Sequence, residues 1–148
     1  VDYIGLVNTF TNKEAHAMNI LSQWLFYKLT WNPYEDVDAL IEYFCRKVYG
    51  DAADAMLEYY KYVMMGFADG TEAMAEEFNV FHKWNTSPEW YFMYYIDIEV
   101  DGVYIYDAIK DALNKAWELA DERARQYLIR PIEAFADWEE YSSRDRNF

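Results

Sequence analysis

Between residues 36 and 67 the chain spells out two helices and the turn that folds one back on the other, and no other stretch constrains the fold so tightly. Val37, Leu40, Ile41, Phe44, Cys45 and Val48 follow the i, i+3, i+4, i+7, i+8, i+11 series that places apolar side chains on one helical face. Asp36 stands where an N-cap belongs, its short carboxylate able to accept from the free N–H groups of the first turn. Gly50 is placed to end the helix as a C′ residue, and Asp51 to cap the next one. Ala52, Met56, Tyr60, Val63, Met64 and Phe67 then make a second apolar stripe. Two amphipathic helices joined by so short a turn pair antiparallel as a helical hairpin.

The flanking segments extend the helical reading. Residues 1 to 10 are β-branched and aromatic with a glycine inside, which reads as a short strand or extended lead-in with nothing to pair with. From Asn12 the pattern turns helical, with Met18, Leu21, Leu25 and Leu29 on one side and Ile20, Trp24, Tyr27 and Trp31 on another. A helix apolar nearly all round is expected to be buried on several sides. Asn32-Pro33 stops it, because proline lacks an N–H and disfavours helical dihedrals in the residue before it.

Further on, Asp69-Gly70-Thr71 reads as a turn, followed by a shorter helix through Met74, Phe78 and Phe81 that ends near Trp84-Asn85. Ser87-Pro88-Glu89 is a helix start by its cap, proline and acid, yet Trp90 to Ile98 is aromatic throughout and strand-prone. Both readings stand for 87–98. Asp101-Gly102 breaks that run, and from Val103 the positions Ile105, Ala108, Ile109, Ala112, Leu113, Ala116 and Ala120 predict a helix running to about Leu128. Pro131 is expected to kink or restart it, with a frayed polar tail from Ser142. The expectation is an all-α fold, a bundle of about six helices with a short extended lead-in.

Charge and composition narrow the partners. Against 13 basic residues stand 27 acidic ones, a formal charge of −14, which repels nucleic acid and anionic membrane surfaces. No apolar run is long enough for a membrane span, so no membrane insertion is expected. Aromatic residues make up 20% of the chain, more than a core of this size usually holds, and some should face a neighbour or a ligand. The densest group is Trp84, Trp90, Tyr91, Phe92, Tyr94 and Tyr95, where flat faces with polar tips suit sugar rings or a protein surface, or simply a core. The single cysteine, Cys45, lies on an apolar stripe and reads as structural.

Motifs for autonomous chemistry fail. There is no Gly-x-Ser-x-Gly, no Gly-rich phosphate loop and no paired metal-ligand motif around His16 or His82, so no cofactor or metal is expected. Asp97-Ile98-Glu99-Val100-Asp101-Gly102 opens like a calcium loop, but the position of the bidentate glutamate is Ala108.

One resemblance is specific. Asn19 to Pro33 with its Lys28-Leu29-Thr30-Trp31-Asn32-Pro33 end, then Asp36-Val37-Asp38-Ala39-Leu40-Ile41, then Tyr49-Gly50-Asp51-Ala52-Ala53, resemble a family of uncharacterised bacterial proteins related to glycoside hydrolases. Thr30 replaces a leucine and Val48 a tyrosine of that pattern. In that family a (β/α) barrel, similar to those of α-glucuronidases and β-hexosaminidases, precedes a helical C-terminal region. The resemblance implies that residues 1–30 are the last strand and outer helix of a barrel and that 31–148 form the helical C-terminal domain. It implies a secreted or cell-surface location and a catalytic barrel of the same parent chain as partner. Asn12 and Glu14, after the last strand, would be the positions nearest a sugar, although Asn12 also suits a helix cap and Glu14 the helix dipole. No catalytic residue carries over. The expected role is a non-catalytic support for the barrel, the alternative a carbohydrate-binding or protein-interaction module.

Overall fold

The structure is a computed structural model, and it describes residues 20–77 and 98–145. Among these residues five α-helices carry the fold: α1 (Ile20–Trp31), α2 (Val37–Tyr49), α3 (Ala53–Glu77), α4 (Ile105–Leu119) and α5 (Glu122–Asp145). A two-stranded hairpin, β1 (Glu99–Val100) and β2 (Val103–Tyr104), precedes α4. The chain is mostly helical as expected, but the β hairpin departs from an all-α fold; against about six expected helices, five lie among the described residues, and the lead-in of residues 1–10 lies outside them.

The helical hairpin forms as its sequence dictates. Asp36 Oδ1 accepts from Ala39 N at 3.1 Å, capping α2. Gly50, at φ 56°, occupies the left-handed region that costs an L side chain roughly 1–2 kcal/mol. Asp51 does not cap a new helix directly. It sits in a 3₁₀ turn, Gly50–Ala52, closed by Ala53 N–H donating to Gly50 O.

Four expectations change beyond it. Helix α3 runs straight through Asp69-Gly70-Thr71 to Glu77. One interior glycine costs a helix only about 1 kcal/mol, and an established helix propagates through it more easily than it renucleates. Asp101 and Gly102 do more than break a run: with φ 52° and 79° they form the two-residue turn that pairs Glu99 with Tyr104 and Val100 with Val103. The long helix expected to reach Leu128 ends at Leu119. Ala120 is extended, and Asp121 Oδ1 accepts from Ala124 N at 2.7 Å to start α5. Pro131 lies inside α5, which neither stops nor restarts there and continues past Ser142 to Asp145.

The core lies where α3 packs most extensively on α4, with α2 and α5 closing it. Phe44, Cys45, Tyr49, Met56, Tyr59, Ile105, Ile109, Ala116 and Leu128 are all buried in one cluster. Alanines at 52, 53, 55, 112 and 116 let the helix backbones approach closely.

Candidate functional site

Two surface features and one buried cluster gather the polar and aromatic side chains of the described residues. The first feature is the face of α1 and the turn after it. Helix α1 buries only Leu21, against the expectation of burial on several sides. Trp24 stacks on Tyr43 of α2 at 6.4 Å and meets Phe44 at 5.3 Å, which docks one side of the helix. The other side is open: Tyr27 is 60% exposed, Trp31 92% and Tyr34 93%.

The turn that carries these rings is tied down. Asn32 N donates to Lys28 O at 3.1 Å, Tyr34 N to Asn32 Oδ1 at 3.2 Å and Glu35 N to Asn32 O at 3.4 Å. Lys28 and Glu35 add an ion pair across it at 3.7 Å. Exposed rings on a fixed backbone lose little freedom when covered, a property of interface anchors.

The second feature is an open groove of about 530 Å³ between α3, the hairpin and α4. Glu58 and Tyr62 of α3 form one wall, and Asp107, Asp111 and Lys115 of α4 the other. Ala108 and Ala112 lie beneath, and Gly102, Val103 and Tyr104 close one end. The groove exists because the α4 row facing α3 there is alanine. Lys115 Nζ reaches across to Glu58 Oε2 at 3.2 Å and bridges the other end.

The buried cluster carries no acid–base chemistry. Tyr49 and Tyr60 share a hydroxyl–hydroxyl hydrogen bond at 3.0 Å, and among the described residues Tyr59 Oη has no partner. Burial pushes the Cys45 thiol up to about 12, with Arg46 opposing it only in part. Burial likewise raises Tyr49 to about 12, against the Tyr60 hydrogen bond, and lifts Tyr59 and Tyr60. Groups held so far from neutrality neither take nor give a proton at working pH.

A clasp joins α4 to α5. Lys110 Nζ meets Glu139 Oε1 at 2.7 Å, and Tyr106 OH donates to the same oxygen. Partial burial alone would raise the Glu139 carboxyl; the hydrogen bonds from Lys110 and Tyr106 outweigh it and hold it below its ordinary value. The pair ties the two helices together at the surface.

The positions singled out from sequence, Asn12, Glu14, Trp84, Trp90, Tyr91, Tyr94 and Tyr95, all lie outside the described residues, as do His16 and His82. Of the exposed anchors, Trp31 was read only as a helix position and Tyr34 was missed; the signal was their place astride Asn32-Pro33, where a chain turns at the surface. Asp107 and Asp111 were missed; their i, i+4 spacing beside the Ala108 and Ala112 stripe was the available signal. Among the described residues no group of three or more His, Cys, Asp or Glu is placed to hold a metal ion, and no helix is long and apolar enough to cross a membrane.

Comparison with known proteins gives one match. A family described as a domain of unknown function (DUF4838) matches residues 3–61. Those residues include α1, the Trp31 to Tyr34 turn, α2 and the start of α3. No curated protein and no solved structure matches the chain.

Proposed function

We propose that this chain is a non-catalytic helical domain that packs beside the catalytic barrel of a glycoside-hydrolase-like parent protein and supports it, with α1 and the Trp31 to Tyr34 turn as the docking face. The observation that carries the reading is α1 itself: a helix apolar nearly all round that buries Leu21 alone and leaves Tyr27 and Trp31 open. Water is a poor neighbour for such a surface, and the helix gains by being covered. Burial holds Cys45 and Tyr49 protonated, so these two groups are packing and not nucleophiles. On this reading residues 1–30, with all of α1 but Trp31, are the last strand and outer helix of the barrel, the open face of α1 is the one the rest of the barrel covers, 31–148 form the supporting domain, and Asn12 and Glu14 are the positions nearest a sugar.

The test joins the chain to the coding sequence upstream of it. Co-expression of that upstream region with this chain is expected to yield a complex, and Trp31→Ala with Tyr34→Ala to weaken it by roughly 30-fold, the loss of two interface anchors. Both rings are nearly fully exposed in this chain, so its own thermal unfolding is expected to stay unchanged. An upstream region without alternating strands and helices, or hydrolysis of aryl glycosides by this chain alone, would overturn the proposal.

A further inference from the structure

Helix α5 is held differently along its two halves, and Pro131 divides them. Ahead of Pro131, the Asp121 cap fixes the first turn, Arg123 donates to Lys47 O of α2 at 3.1 Å, and Arg125 lies 5.2 Å from the Trp117 ring near the end of α4. Ala124 and Leu128 are buried in the core beneath. Beyond Pro131 the contacts move to the start of α4. The Phe135 ring lies 5.4 Å from that of Tyr106, and Glu139 closes the clasp with Lys110 and Tyr106. Pro131 is buried and has no N–H, so the helical bond from residue 131 to the Tyr127 carbonyl cannot form. Its ring also crowds that carbonyl, which weakens the helix at this one step and leaves the turns on either side intact.

We propose that α5 is hinged at Pro131, and that the half beyond it is a strap latched to α4 by the clasp, opening as a unit while residues 122–130 stay packed. A strap of this kind needs a step where the backbone bonding is already interrupted and a latch exposed enough to release. Pro131 supplies the first. The clasp supplies the second, because the Lys110 side chain is half-exposed and an ion pair at the surface holds only weakly. Lifting the strap takes Phe135 off the Tyr106 ring. It leaves the junction of α2 and α3 closed, and with it the seat of Trp24 on Tyr43 and Phe44, so the α1 face keeps its place while α5 moves.

Native-state hydrogen exchange of the whole chain, read amide by amide and corrected for intrinsic rates, tests the hinge. The amides of 133–139 are expected to share one protection factor, roughly tenfold or more below that of 125–130, with the step at Pro131. Lys110→Met with Glu139→Gln unlatches the strap and is expected to speed exchange of 133–139 by roughly three- to tenfold, with 125–130 unchanged. Pro131→Ala restores the missing bond and is expected to slow 133–139 by roughly tenfold or more, toward the values of 125–130. The clasp lies at the surface, so its variant decides the matter even where Pro131→Ala disturbs the packing. A helix that only frays gives protection falling smoothly toward Asp145 and indifferent to residue 131, and that result overturns the proposal. So does equal protection on both sides of Pro131, or a clasp variant that speeds both halves alike.

Discussion

Phe44→Ala is expected to lower the unfolding free energy by roughly 3–5 kcal/mol, the range for emptying a large aromatic site. Phe44 is the hub at which three elements meet. Its ring lies 5.3 Å from Trp24 of α1, 6.1 Å from Tyr49 and 6.5 Å from Tyr60 of α3. None of those bulky neighbours can collapse into the gap without losing its own packing, so the cavity persists. For a chain of this length that loss corresponds to a fall in Tm on the order of 10 °C. Urea unfolding should show a lower midpoint with an unchanged slope, because the surface exposed on unfolding is nearly the same. A loss under about 1 kcal/mol would mean that the α1–α2–α3 junction is not the packed centre described here.

The tyrosine cluster predicts a pair of conservative changes with opposite signs. Tyr49→Phe removes the hydroxyl that Tyr60 bonds at 3.0 Å and leaves a buried oxygen unsatisfied, at a cost of about 1–3 kcal/mol. Tyr59→Phe removes an oxygen that has no partner among the described residues, and should leave stability unchanged or raise it by about 1 kcal/mol. Equal destabilisation by both would show that Tyr59 has a partner after all.

The same burial sets a pH limit. Tyr49 titrates near 10.0 when unfolded and near 12 when folded, so below 10 both states hold the proton and its contribution is fully present. As pH rises from about 10 toward 12 the unfolded state ionises first, and stability falls through that window.

How much of this could be read from residue order differs from element to element. Helix α2 was legible because one period, one cap and one glycine all agreed. The α4–α5 break was equally available, since Asp121-Glu122 is a cap followed by an acid, but the alanine stripe runs on through Ala120 and hides it. Asp69-Gly70-Thr71 misled because turn chemistry is local, whereas α3 is held by its length and by its packing along α4. The α1 face was the deepest failure: periodicity reports that a helix is apolar on all sides, and it cannot report whether the covering surface belongs to the described chain. The groove was out of reach because it depends on the lateral offset of two helices, which no single stretch encodes.

The chain's single thiol, Cys45, is wholly enclosed beside Phe44, and its proton is held up to about 12. A dye that reacts only with thiolates therefore meets it chiefly when the bundle opens, and labelling becomes a stopwatch for breathing. Slow colour development, quickened by Phe44→Ala, would turn one silent sulfur into a gauge of how firmly these helices are held.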